Sequence, residues 1–349
     1  MLLLVGRMLI LGLEATAHTF GAGIVESDST DASSVSRGDT KVLSNEIAKY
    51  PSVKEGYIPR KLAEHHAKHC RETIAAAFAK ANARPKDLDA VAYSQGPGIG
   101  HCLHVGYVAA KSLSTLLGIP LVPVNHTIAH VEVGRWWCGA RDPLVVYVAG
   151  GNTQIAARVR EGNGWRYRVF GETLDIGLGN FLDLVGRKLE LEPPDAVGVL
   201  KAAANGRKFV RLPYTVKGMN LAYSGMLTAL ERIRGVGSIA EQQDEDLCFS
   251  AQETAFAALV EASERCLCHT RNPEVLLCGG NARNRRLQEM LRLMSEEQRA
   301  RFCVTPDEYS GDQAGMIALT GLLQYLSGTG LGDAEPRQKM RLDSRVIRW

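Results

Sequence analysis

One pattern occurs twice in this chain and limits what it can become. Leu9-Ile10-Leu11-Gly12-Leu13 is an apolar run, Glu14 to Gly21 a turn rich in Gly and Thr, and Ala22 to Val25 a second apolar run. In the other half, Leu144 to Ala149 leads into Gly150-Gly151-Asn152-Thr153 and returns through Gln154 to Val159. A further run, Trp165 to Phe170, follows the Glu161-Gly162-Asn163-Gly164 turn. Short apolar runs bounded by turn residues read as strands. Both openings continue into alternating helices and strands, so the chain reads as α/β with an internal duplication. Its 349 residues suit about two domains, each with its own core.

The remaining elements follow from periodicity and caps. Helices are expected at Arg60–Ala81, Cys102–Leu117, Asn180–Leu189, Ser250–His269 and Ala314–Leu326, with strands at Leu88–Tyr93, 119–124, Val275–Cys278 and Arg301–Val304. Residues 26–55 lack periodicity and read as an insertion or mobile loop, and 191–245 read as irregular. The domain boundaries expected are 8–143, 144–327 and a basic tail, 328–349, carrying Arg337, Lys339, Arg341, Arg345 and Arg348. Strand, polar turn and strand, duplicated, is the plan of the actin-like ATPase (ASKHA) fold of actin, sugar kinases and heat-shock chaperones. Its ligand is expected in the cleft between the two α/β domains.

Asn125 is a good N-cap, so His126 and His130 should lie in the first turns of a helix and project from one face. Neutral imidazoles so placed suit iron, zinc, copper or nickel. Two helix histidines that simply pack or hydrogen-bond remain the alternative. The protease version of this spacing needs a glutamate after the first histidine; Thr127 stands there and removes that reading. His65 and His69 repeat the spacing, but Lys61, Glu64, Lys68 and Arg71 beside them favour a solvated face. Glu14 could hold a cation or amine, or cap its turn. The loop Gln95 to Gly100 feeds a helix N-terminus and could receive an anion or a close backbone.

Composition excludes several classes. Eight cysteines without a C-x-x-C pair argue against a disulfide framework or zinc ribbon and for a reducing cytoplasm. The first seven residues resemble a signal peptide only superficially, because Arg7 interrupts a short apolar run and a small-residue cleavage site is missing. No later run reaches membrane-spanning length. A net charge of +3 neither requires nor opposes a nucleic-acid partner.

Several stretches together, in one order, resemble the tRNA N6-threonylcarbamoyladenosine synthase family, which comprises bacterial TsaD and OSGEP, the catalytic subunit of the archaeal and eukaryotic KEOPS complex. They are Gly12 to Gly23, Ser94 to Gly100, Val124 to His130, Tyr147 to Gln154, Phe170 to Asp183, Leu212 to Met219, Gly279 to Leu287 and Gly311 to Ile317. Their wording is closer to the archaeal and eukaryotic branch. The resemblance implies one divalent metal, usually iron with zinc as the alternative, on His126, His130, Tyr147 and Asp312. It implies a nucleotide site on Tyr147, Val148, Ala149, Gly150, Gly151, Asp183 and Asn284. The implied reaction moves threonylcarbamoyl from threonylcarbamoyl-AMP to N6 of the adenosine beside the tRNA anticodon, releasing AMP. The implied partners are tRNA and KEOPS-type subunits, including a small kinase-like protein, with no membrane and a cytoplasmic location. No residue is identified as a general base.

The chain also departs from the family pattern. Ala196 stands where a loop glycine is usual, Leu200 where a ribose-holding glutamate is usual, and His104 where an arginine is usual. These departures keep two rivals in view: a catalytically impaired scaffold of the same fold, and an actin-like ATPase that has no need of the histidines.

Overall fold

Alternating residues of the first strands feed two different cores. The computed structural model describes residues 7–51, 57–235 and 241–349, and the readings made for 1–6, 52–56 and 236–240 lie outside them. Strands β1 (Met8–Glu14), β2 (Thr19–Ser27), β3 (Thr40–Lys49), β4 (Ala90–Gly96) and β5 (Leu121–Asn125) form a sheet in the order β3-β2-β1-β4-β5. The β1–β2 hairpin is antiparallel, whereas β1, β4 and β5 run parallel. Between them lie α1 (Pro59–Ala81) and α2 (Gly100–Leu117), and α3 (His126–Cys138) follows β5. Ile10, Ala92 and Val124 pack with Ala129 of α3 and Met316–Leu322 of a later helix. Leu11, Val91 and Tyr93 face the other way, onto Phe78 of α1 and Ala110 of α2. A parallel sheet buried on both faces explains why its strands read as continuous apolar runs.

The second sheet repeats this plan. It contains β6 (Pro143–Val148), β7 (Thr153–Glu161) and β8 (Gly164–Glu172), followed in the chain by α4 (Leu178–Lys188) and α5 (Ala196–Ala203). A two-stranded ribbon of β9 (Val216–Lys217) and β10 (Asn220–Leu221) precedes α6 (Ser224–Gly235) and α7 (Glu241–Thr270). Then come β11 (Glu274–Cys278), α8 (Arg285–Glu297), β12 (Arg301–Val304), α9 (Asp307–Ser310), α10 (Ala314–Leu326) and β13 (Val346–Ile347). The strand order is β12-β11-β6-β7-β8-β13. Again an antiparallel hairpin, β6–β7, is extended by parallel strands β11 and β12. The duplication read from the two turns is therefore a duplication of sheet topology. Among the described residues no helix is long and apolar enough to cross a membrane.

Three expectations change. Residues 26–55 are not simply a loop: β3 pairs with β2 over its whole length. The register skips Leu43 between Val42 and Ser44, and this bulge breaks the period of two that would have marked a strand. Residues 191–245 hold α5, the β9–β10 ribbon, α6 and the start of α7, elements mostly too short for periodicity to mark. The division also differs from sequence order. One compact unit takes residues 1–141, 158–168 and 305–349, and the other takes 142–157 and 169–304. The basic segment at the C-terminus is no free tail within the first unit. Arg345 donates to the Pro123 carbonyl (2.7 Å) and to Gln95 Oε1 (2.5 Å), and burial pushes its guanidinium below its ordinary value.

The histidines of α1 part company. His66 is fully buried with Phe20 edge-on at 5.7 Å, while His65 and His69 approach each other to 4.5 Å between ring centres. Burial, assisted by the neighbouring His65, pushes the His66 imidazole down to about 4. The unfolded chain therefore takes up this proton first as pH falls, so stability is lost between about pH 6.5 and pH 4. The lowered value corresponds to about 3 kcal/mol across that window. A His66→Leu variant should show a correspondingly flatter acid limb in urea titrations run from pH 7 to 4. An unchanged limb would remove His66 from the acid response.

Candidate metal centre

Three elements of the first unit bring the site together. Asn125 ends β5 and caps α3, its side chain accepting hydrogen bonds from the backbone N–H groups of Thr127 (2.9 Å) and Ile128 (3.2 Å). This starts the helix at His126, so both histidines sit in its first turns, their ring centres 4.7 Å apart. Asp312 comes from the turn before α10. Its Oδ1 lies 3.5 Å from His126 Nε2 and 3.3 Å from His130 Nε2. One ligand atom from each residue lies within 4.8 Å of the other two, the only such group of histidine, cysteine and carboxylate side chains among the described residues. His65 and His69 form no comparable group there.

The fourth member is Glu14, at the end of β1. Fully buried, it faces His126 Nδ1 with Oε2 at 2.9 Å, while Oε1 accepts from the Thr16 N–H at 2.7 Å. A carboxylate on one imidazole nitrogen turns the other toward a ligand, the usual support for a metal-binding histidine. Sequence reading left Glu14 open between cation, amine and turn cap; one oxygen caps the turn through Thr16 while the other meets His126. The electrostatics are those of a cation site. Burial would push His126 down, but the Glu14 and Asp312 carboxylates outweigh it and hold the imidazole up at about 10. Burial dominates at His130 and pushes it down, with His126 adding to the effect. Burial works against ionisation of Asp312, but its two histidine contacts hold it well below the usual carboxylate range. The fully buried Glu14 and the partly exposed Asp312 both face this histidine pair, and the nitrogen–oxygen donor set suits a divalent ion.

The nucleotide residues expected from the resemblance lie in the second unit, on the end of β6 and its turn, on α4 and at the start of α8. Tyr147 on β6 is opposite Cys278 on β11, so the turn after β6 and the loop after β11 leave side by side. Gly279 makes this possible: its φ is +95°, and a Cβ there would lie 2.5 Å from the Val148 carbonyl oxygen and 3.1 Å from the Tyr147 ring. The Gly150 carbonyl accepts from Asn180 N–H at 2.9 Å, tying the turn to the start of α4. Asp183 lies further along α4, half-buried and pushed up by that burial, and accepts from the Ala196 N–H at 2.9 Å. Asn284 is buried and caps α8 through a bond from Leu287 N–H at 3.0 Å. Gly151 is exposed. Loops at the carboxyl ends of parallel strands are the usual ligand position in α/β sheets. Ala196 is the first residue of α5, capped by Asp195, so no glycine-only backbone is needed there.

Comparison with known proteins now bears on these geometries. The profile of the family described as "TsaD: tRNA N6-adenosine threonylcarbamoyltransferase" matches residues 41–319. The chain belongs to the TsaD family. A relative named tRNA N6-adenosine threonylcarbamoyltransferase from Thermococcus sibiricus is 44% identical, over 98% of this chain and 100% of that one. One of the same name from Staphylothermus marinus is 43% identical, over 97% of this chain and 99% of that one. A Methanosarcina barkeri relative, named a probable bifunctional tRNA threonylcarbamoyladenosine biosynthesis protein, is 43% identical over 97% of this chain, which covers 59% of it. Among solved structures, HypF of T. kodakarensis matches with a TM-score of 0.60 at 15% identity, over 93% of this chain and 48% of that one. The activator of 2-hydroxyisocaproyl-CoA dehydratase from Clostridium difficile, with bound ADPNP, gives 0.50 at 12% identity, over 92% and 97%. These likenesses speak for the fold, and the α/β architecture is of the actin-like ATPase type. For this TsaD-family chain, the His126–His130–Asp312 cluster is compatible with a metal site.

Proposed function

We propose that the chain transfers the threonylcarbamoyl group of threonylcarbamoyl-AMP to N6 of the adenosine beside the anticodon, in tRNAs reading codons that begin with adenine. It does so in the cytoplasm with KEOPS-type subunits, including a small kinase-like protein. The His126–His130–Asp312 cluster, in a chain of the TsaD family, carries this reading. The three side chains would hold one divalent ion, iron before zinc. Such an ion supplies Lewis acidity toward a substrate oxygen. Glu14 fixes the His126 ring, and burial of the histidines excludes water.

The nucleotide part rests on Tyr147, Val148, Ala149, Gly150 and Gly151, with Asp183 and Asn284 as hydrogen-bonding side chains. N6 attacks the carbamoyl carbon, the bond from that carbon to the phosphate oxygen breaks, AMP leaves with the electron pair, and N6 gives up a proton. The name of the Methanosarcina barkeri relative, a probable bifunctional tRNA threonylcarbamoyladenosine biosynthesis protein, supports a threonylcarbamoyladenosine context for this reading. The test combines purified chain, tRNA and threonylcarbamoyl-AMP, with and without KEOPS-type subunits, followed by mass spectrometry of the digested nucleosides. Threonylcarbamoyladenosine is expected only in mixtures containing this chain. Nucleotide hydrolysis indifferent to tRNA and threonylcarbamoyl-AMP would point instead to an ATPase.

Leu200 gives a narrower prediction. It lies on α5, one turn beyond the Ala196 N–H that Asp183 holds, and is partly exposed. A carboxylate there would offer a ribose charge-assisted hydrogen bonds. Leu200→Glu should tighten AMP binding about tenfold in a calorimetric titration, with metal content unchanged. Equal affinity would show that α5 does not touch the nucleotide.

A further inference from the structure

All four tryptophans of the chain, Trp136, Trp137, Trp165 and Trp349, line a single cavity of about 690 Å³ in the first unit. It opens at the far end of α3 from the metal centre: Trp136 is ten residues beyond His126, about 15 Å along the helix axis. The cavity is cationic. Four guanidinium groups, of Arg37, Arg135, Arg141 and Arg158, line it against one carboxylate side chain, Glu132. Both oxygens of that carboxylate are engaged, Oε1 by the Tyr167 hydroxyl (2.7 Å) and Oε2 by Arg135 Nη1 (2.6 Å).

The lining is also rich in donors. Nε1 of Trp136, Nε1 of Trp349 and Nε of Arg135 are buried, with no hydrogen-bond partner within the protein. A buried donor without an acceptor is costly, and all three belong to residues that line this cavity. Flat apolar surface completes the lining. The Arg37 guanidinium lies 3.8 Å over the Trp137 ring, and that of Arg158 lies 5.0 Å over Trp165. Such pairs stack readily on a further planar group.

Negative charge, several acceptors and a flat ring describe a phosphorylated nucleoside, and the volume lies within the range of small-molecule sites. We propose that this cavity binds a nucleoside phosphate, with its base against the indoles and its phosphate on the guanidinium groups. A free mononucleotide and one nucleotide of a single-stranded RNA share that chemistry. The site is separate from the metal centre and does not depend on the reaction proposed there.

Because the chain has no other tryptophan, its intrinsic fluorescence reports on this cavity. The probes are UMP and tetrauridylate, chosen over adenylates to avoid the nucleotide site proposed above, with uridine and inorganic phosphate as controls. Saturable quenching by UMP or tetrauridylate is expected, with uridine and phosphate at least about tenfold weaker. Arg37→Gln combined with Arg158→Gln should weaken binding by about tenfold or more, and Trp349→Phe, which keeps a ring but loses the N–H, should weaken it less. Circular dichroism of each variant establishes that it is folded. Tetrauridylate binding about tenfold tighter than UMP would identify an RNA strand as the source, and equal affinities a free nucleotide. Absence of saturable quenching by either probe, phosphate matching UMP, or a folded arginine double variant binding as before would each overturn the proposal.

Discussion

Purified His126→Ala/His130→Ala protein is expected to carry no divalent metal and to make no threonylcarbamoyladenosine, while His65→Ala/His69→Ala protein keeps both. The two pairs share the same helical spacing, so the difference lies in their surroundings. His126 and His130 face Asp312, with Glu14 behind, whereas His65 and His69 belong to no three-residue ligand group among the described residues. Removing the first pair leaves Asp312 as the only one of the three grouped ligands, too few donors for retention. Glu14→Gln should be intermediate, because it keeps every direct ligand and alters only what holds the His126 ring. Loss of such support typically weakens metal affinity roughly 10- to 100-fold. Elemental analysis after dialysis against a graded chelator series separates the variants, and thermal melts establish that each is folded. Equal metal loss from both histidine pairs would sink the assignment.

Gly12→Ala should be among the most destabilising single substitutions in the first unit. Gly12 lies in β1 beneath α10, and a Cβ there would be 2.3 Å from the Ala318 nitrogen and 2.5 Å from the Ala314 carbonyl oxygen. Both are backbone atoms and cannot rotate away, so strand and helix must separate. Overpacking a core commonly costs 1–3 kcal/mol, and a clash with backbone on both sides should cost about 3 kcal/mol or more. For a unit of this size that lowers Tm by roughly 6–12 °C. Because β1 ends in Glu14 and α10 begins just after Asp312, the same separation should loosen metal binding. Gly225→Ala on α6 is the control: a Cβ there meets nothing within 4 Å, and helix propensity favours alanine. Calorimetric melts of the two variants decide, and a Gly12→Ala protein melting with the parent would refute the close approach.

Much of the fold was legible because its signals are local. The paired strand–turn–strand openings, the Asn125 cap and the apolar stripes of α2 and α10 all lie within short windows of chain. β3 was hidden by the bulge at Leu43, and 191–245 by two-residue strands and short helices of 8 and 12 residues. Half of the candidate site was equally local: the histidine pair needs only one helix. Asp312 entered through family resemblance, since 182 residues separate it from His130.

By itself, the sequence determined the α/β class, the duplicated plan and the helix that presents His126 and His130, since each depends on neighbours within a few turns of chain. Tertiary structure alone decided which pair of histidines meets carboxylates. It also gave Glu14, which caps its own turn, His126 as a second partner, buried His66, and gathered four tryptophans 213 positions apart at the extremes around one cationic cavity. The physical reason is the same in each case. Charge pairing and burial are set by what the folded chain brings within a few ångströms, and no window of sequence contains that distance.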